Sequence, residues 1–231
     1  MKTIGIIGGL AWQSSAELYK IINELVNRKL GGQHSAKCVM YSVDLDPILI
    51  LRDEEKWDEL ANIIEDAIRR VETAGADFTV IVSNTMHRTV DIIRKRVSKP
   101  ILHIADVTAQ AIIERGFKTV GLMGTKFTLT QDFYKGKMER DYGIKILVPD
   151  KEDIEFIHHV IYEELDFSIF SPESSARFVK IIEKMGSHGA EGVILGCTEI
   201  PLLVKQEQTK IPLFDTTTLL AEAAVREALA E

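Results

Sequence analysis

The sequence predicts an α/β protein in which parallel strands alternate with helices, and the pattern runs twice along the chain. Three observations carry this. Short apolar runs bounded by glycine or polar turns alternate with longer segments of helical periodicity, the rhythm of βαβ units and a parallel sheet. Thr119-Val120-Gly121-Leu122-Met123-Gly124 echoes Thr3-Ile4-Gly5-Ile6-Ile7-Gly8 at an offset of 116 residues. Cys197 follows Ser83 by 114, each just beyond an apolar run: Gly192-Val193-Ile194-Leu195-Gly196 and Phe78-Thr79-Val80-Ile81-Val82. Such runs read as buried strands that present a side chain at their carboxyl ends, where open α/β sheets bind ligands.

The first strand, from Thr3 to Ile7, ends in Gly8-Gly9-Leu10-Ala11-Trp12. Ser14 and Glu17 have capping-box spacing and predict a helix opening there, with Leu18, Ile21, Ile22, Leu25 and Val26 on one face and Gly31-Gly32 as its stop. A strand over about Cys38 to Val43 leads to Asp44-Leu45-Asp46-Pro47 and a loop carrying Arg52. Leu60, Ile63, Ile64, Ala67, Ile68 and Val71 form the face of a long helix that stops at Gly75, and the third strand delivers Ser83. A helix is expected from roughly Thr85 to Val97, closed by Lys99-Pro100, then a strand over Ile101 to Ile104 and a helix ending at Gly116. In the second half Thr128 and Gln131 repeat the capping spacing. A strand near Ile144 to Val148 follows, then helices near Ile154 to Leu165 and Pro172 to Met185, with Ser171-Pro172 as a start signal. The segment from Leu219 to Leu229 reads as a closing helix.

The 231 residues allow one large domain or two of about 100 each. A net charge of −7 with no Lys/Arg-rich face argues against nucleic acid, and Arg94-Lys95-Arg96 with Lys99 reads as a solvated last turn. No apolar run reaches the ~18 residues of a membrane span. The first strand starts at once, with no signal-peptide layout before it, so a cytoplasmic protein is expected. Cys38 and Cys197 make no disulfide framework, and Cys38 reads as a small buried strand residue.

Gly5-Ile6-Ile7-Gly8-Gly9 lacks the full G-x-G-x-x-G pattern, so close backbone approach is favoured over dinucleotide binding, and a carboxylate at the next helix terminus is a third reading. His158 and His159 are adjacent on a helix and do not face one another, so they do not make a metal site. His87, one turn beyond Ser83, either supports that residue by a hydrogen bond or is structural. Cys197 is expected at the start of a helix whose dipole favours the thiolate. A hydrolytic cysteine needs a paired histidine. Proton transfer from carbon needs groups on opposite faces of the substrate, which two mirrored βα turns supply.

Four motifs together resemble the aspartate/glutamate racemase family: Gly8-Gly9-Leu10-Ala11-Trp12-Gln13-Ser14-Ser15, Ser83-Asn84-Thr85-Met86-His87, Gly124-Thr125-Lys126-Phe127-Thr128 and Gly196-Cys197-Thr198-Glu199-Ile200. The resemblance implies two pseudo-symmetric Rossmann-like α/β domains, here 1–102 plus 212–231 and 103–211, with the active site in the cleft between them. It implies cofactor-independent inversion of acidic amino acids by two bases, and a cytoplasmic homodimer without nucleic-acid or membrane partners. The usual base pair is two cysteines, at the positions held here by Ser83 and Cys197.

Ser83 departs from that pattern. A serine hydroxyl is a far weaker acid than a thiol, so it donates a proton to a carbanion more readily than it removes one. A family branch with threonine here is associated with L-acidic amino acids, and Ser83 with Met86-His87 looks like that branch. Leu220 stands where related sequences often carry histidine, and Asp166 where some carry a basic substrate contact. For the substrate's charges, Asn84, Thr85, Thr125, Thr128 and Thr198 lie at expected helix starts. Arg52 is a candidate for the distal carboxylate or a solvated loop charge, and Glu199 for the ammonium or a helix cap. A one-thiol decarboxylase or isomerase of small dicarboxylates, and a silent acidic-amino-acid binder, are the alternatives.

Overall fold

The structure, a computed structural model, describes residues 1–230. The chain forms two compact units, Met1–Ile104 with the segment from Thr217 onward, and Ala105–Thr216. The first unit contains β1 (Ile4–Gly8), α1 (Trp12–Leu30), β2 (Cys38–Ser42), α2 (Leu45–Asp53), α3 (Trp57–Thr73), β3 (Phe78–Ile81), α4 (Val90–Ile93) and β4 (Ile101–Leu102). α5 (Ile104–Glu114) leads into the second, with β5 (Thr119–Met123), α6 (Lys126–Thr130), α7 (Asp132–Tyr142), β6 (Lys145–Leu147), α8 (Lys151–Glu163), α9 (Pro172–Ser187), β7 (Val193–Leu195), α10 (Ile200–Leu203) and β8 (Leu213–Asp215). α11 (Thr216–Leu229) returns to the first unit, where Lys2 N–H donates to the Ala228 carbonyl at 2.8 Å.

Each unit holds one parallel four-stranded sheet, ordered β2-β1-β3-β4 and β6-β5-β7-β8. β1 is buried at every position, as a central parallel strand covered on both faces must be. α3 packs Leu60, Ile64, Ile68 and Val71 against Ile7 and Ile81. In the second unit Phe178, Ile181, Ile182 and Met185 of α9 share a core with Ile157, Val160 and Ile161 of α8, and with Leu195 and Cys197.

The duplication extends to single hydrogen bonds. Ile7 pairs with Ile81 and Met123 with Leu195, so Ser83 and Cys197 each stand two residues past an equivalent register point. α3 and α9 are both followed by a left-handed glycine, Gly75 at φ +98° and Gly189 at φ +97°. The turns then close alike, Ala76 N–H to the Val71 carbonyl and Ala190 N–H to the Met185 carbonyl, both at 3.0 Å.

Four local expectations are corrected. α1 begins at Trp12 rather than Ser14, and Ser14 is buried within the helix instead of preceding it. Its neighbour Ser15 ties the preceding loop instead, accepting from Gly9 N–H at 2.9 Å and donating to the Ala11 carbonyl at 3.1 Å. In the second unit Thr125, not Thr128, caps α6. Beyond Ser83 a 3-10 turn over Thr85–Thr89 and the single turn of α4 replace a continuous helix. There the Thr89 hydroxyl donates to the Met86 carbonyl at 2.7 Å, a side-chain competitor for backbone groups. Arg52 lies on α2 rather than in a loop, because Pro47 falls in the helix's first turn, where its missing N–H costs nothing. Among the described residues no helix is long and apolar enough to cross a membrane.

Candidate active site

In the first unit Val82 N–H still bonds the Ile7 carbonyl at 2.9 Å, and the chain then leaves the sheet at Ser83. Ser83 is half-buried, and its hydroxyl accepts from Met86 N–H at 3.3 Å. The support expected from His87 arrives at the Ser83 backbone: Nδ1 lies 2.6 Å from the Ser83 carbonyl. A carbonyl only accepts, so Nδ1 carries the proton. The buried His87 ring also packs edge-on against His103, with centroids 4.7 Å apart. His87 therefore positions the turn. Asn84 is buried and Thr85 half-buried beside it.

The neighbouring β1–α1 loop is equally constrained. Gly9 has φ +81°, and a Cβ there would stand 2.1 Å from the Val43 carbonyl oxygen, so no side chain fits. Ala11 follows at φ 145°, a strained value for a residue with a Cβ. Arg52 is 7% exposed, which excludes a solvated charge, and donates from Nε and Nη2 to Asp53 Oδ1 at 2.9 and 2.8 Å.

In the second unit two turns are locked side by side. Gly196 N–H donates to the Met123 carbonyl at 2.6 Å, and a Cβ on Gly124 would meet the Gly196 oxygen at 3.0 Å. Thr125 and Thr128 are buried with their hydroxyls 3.2 Å apart. Across from them Cys197 is 8% exposed, and its thiol donates to Glu199 Oε2 at 2.8 Å. The Thr198 hydroxyl reaches both Glu199 oxygens, at 3.0 and 3.1 Å. Glu199 occupies the cap position of α10 but its carboxylate makes no cap bond, so the capping reading is overturned.

These surroundings overturn the expected thiolate. Burial first, then the Glu199 and Asp166 carboxylates, hold the Cys197 thiol well above the ordinary thiol range. α10 spans four residues, too little helix for its dipole to oppose two carboxylates. In the resting protein Cys197 is therefore a protonated donor to Glu199. A stability signature follows. An unfolded thiol ionises near pH 8.5, whereas the folded one holds its proton to higher pH. Stability from this group is thus complete below about pH 8.5 and falls as pH rises beyond it. The melting temperature of the native chain should fall more steeply above that pH than that of Cys197→Ala, and parallel curves would refute the assignment.

The sites expected from sequence thus gather in two places. Thr125, Thr128, Cys197, Thr198 and Glu199 cluster at adjacent strand ends of the second unit, whereas Ser83, Asn84 and Thr85 share one turn of the first and Arg52 stands on α2. Sequence reading missed Ser15, which lies inside a quoted motif but outside the capping pattern, and His103, which no motif contains. Among the described residues no group of three or more His, Cys, Asp or Glu side chains could hold a metal ion. His158 is half-buried with its ring 4.7 Å from that of Tyr162, and His159 is exposed.

The duplicated parallel α/β fold, with one four-stranded sheet in each unit, is that of solved amino-acid racemases, which are isomerases. Residues 7–224 match the Asp/Glu/Hydantoin racemase family, and the chain belongs to it. It is 41% identical to a candidate Asp/Glu racemase from Yersinia pestis, with a TM-score of 0.93 over 100% of both chains. An aspartate racemase homologue from Pyrococcus horikoshii is 34% identical, with a TM-score of 0.88 over 100% of both chains. The broad specificity amino-acid racemase RacX of Bacillus subtilis is 24% identical over 98% of each chain.

Proposed function

We propose that the protein inverts the α-carbon of aspartate and/or glutamate, preferring the L-forms, with Cys197 and Ser83 acting on opposite faces and no pyridoxal phosphate. The observation that carries this reading is the register equivalence of Ser83 and Cys197. Because the thiol rests protonated, the first event is transfer of its proton to Glu199 along the 2.8 Å hydrogen bond. The thiolate then removes the α-proton, and the Ser83 hydroxyl donates its own proton to the other face of the carbanion. Water restores the Ser83 proton, the hydroxide left behind takes the proton held by Glu199, and the sulfur keeps the proton it took from the substrate.

The substrate's α-carboxylate meets the hydroxyls and amides of Asn84, Thr85, Thr125, Thr128 and Thr198, and Arg52 takes the distal carboxylate, held in place by Asp53. Since RacX carries a broad-specificity name, neutral amino acids belong in the substrate panel. The homodimer and the cytoplasmic setting implied by the resemblance are part of the same proposal.

The test is α-proton exchange in deuterated water, with the L- and D-forms of aspartate, glutamate and a neutral amino acid supplied separately. Exchange from one enantiomer with inversion to the other is expected. Ser83→Ala should keep that exchange while inversion falls by about 10²-fold or more, because the second proton donor is gone. Ser83→Cys should raise the slower direction. Exchange from neither enantiomer, with saturable binding intact, would leave a binder. Turnover of a malonate or maleate instead would leave the one-thiol reaction.

A further inference from the structure

We propose that the second unit carries a binding pocket for a small neutral aromatic ring, unrelated to the Cys197 turn. A cavity of about 310 Å³ lies between the end of β6 and the last turns of α9, lined by Leu147, Val148, Pro149, Ile181 and Met185 on its apolar side and by Lys184, His188, Asp150 and Asp153 on its polar side. None of the residues around it belongs to the turns that carry Thr125 or Cys197.

The internal duplication shows what fills the corresponding place. Ile7 pairs with Tyr41 on β2, and Met123 is the equivalent of Ile7. Continuing the β5–β6 register from Gly121 and Leu147 sets Pro149 opposite Met123, so Pro149 stands where the first unit has Tyr41. The matched glycines Gly75 and Gly189 likewise make Arg70 and Lys184 equivalent, each five residues earlier. In the first unit the Tyr41 ring packs against the hydrophobic core, and the Arg70 guanidinium lies over it, 5.2 Å from the ring centroid. In the second unit the cation and the apolar walls persist, but a proline has replaced the ring.

The empty place is large enough. An apolar cavity of about 150 Å³ holds benzene, so this one admits a phenol or an indole. The chemistry of its walls selects an aromatic rather than a saturated ring. Ile181, Met185 and Leu147 supply apolar contact, and methionine sulfur pairs well with ring edges. Lys184 supplies a cation for the ring face. It is held at the rim by salt bridges to Asp150 and, at 2.9 Å, to Asp153, so it is placed before any ligand arrives. Those two carboxylates disfavour an anionic ring.

The probe is 4-methylphenol, the tyrosine side chain detached from its backbone, titrated into the full chain with methyl NMR as the readout. Saturable shifts are expected at Ile181, Met185, Leu147 and Val148, with cyclohexanol binding more weakly. Pro149→Tyr returns the ring covalently and should weaken 4-methylphenol by about tenfold or more, the loss of one ring-sized apolar contact. Ile181→Phe fills the same space from α9 and serves if the proline variant does not fold. Absence of saturable shifts at these methyls would overturn the proposal. So would binding that survives both pocket-filling changes, or cyclohexanol binding as tightly as the phenol.

Discussion

Alanine in place of Cys197 is expected to lower α-proton exchange by about 10³- to 10⁴-fold with either enantiomer, while the fold persists. The magnitude is that of removing a positioned proton-transfer group. Glu199 loses its thiol partner in this variant but keeps the Thr198 hydroxyl at 3.0 and 3.1 Å, so no charge is stranded without a hydrogen bond. The deleted sulfur is small and sits at the edge of the core around Leu195 and Ile200, so the cavity cost is modest. Circular dichroism and ligand binding should therefore match the native chain while exchange collapses. Exchange within a few-fold of native would remove Cys197 from the mechanism.

Glu199→Gln is expected to slow exchange at neutral pH by about 10²-fold and to make it pH-dependent. The amide oxygen can still accept from the thiol, so the geometry survives and only the charge is lost. Two consequences then oppose each other. Without the carboxylate the thiol ionises at lower pH, which favours the base. Burial is the larger cause of its raised value and remains, so most of the sulfur is still protonated near neutrality. The variant has also lost the acceptor for the thiol proton, and that loss dominates. Exchange in Glu199→Gln should climb as pH rises through the thiol's ionisation, whereas the native profile is flatter. Iodoacetamide alkylation should place the variant's thiol below the native one. A variant as fast as native at pH 7 would reduce Glu199 to a structural partner.

Much of the architecture was legible because its signals are local. Apolar runs such as Val193–Leu195 and stops such as Gly31 and Gly75 state their conformations through residue type alone. The offset between Ser83 and Cys197 survived because the sheet register preserves it. What escaped reading depends on backbone strain or on rotamers. The capping pattern at Ser14 misplaced the start of α1, since Ala11 adopts a left-handed φ and lets the helix begin at Trp12. Arg52 read as a loop residue because a proline precedes it, either a contact for the distal carboxylate or a solvated charge, and only packing reveals the burial of its guanidinium. Glu199 could cap, pair with an ammonium or hold the thiol. Two residues of separation do not choose among these, and the choice reverses the predicted ionisation of Cys197.

The chain leaves the first unit at Ile104 and re-enters it at Thr217, after the whole second unit has been laid down. During synthesis the second unit is therefore the first to possess all of its own sequence. The first waits for α11, whose late arrival joins Ala228 to Lys2. Until then the surface that α11 covers stands open, with Val225 and Ala228 still to be supplied as its buried cover. A nascent chain halted before Thr216 would thus lack the buried side chains that α11 supplies to the first unit, an incomplete state in which chaperones engage and aggregation begins.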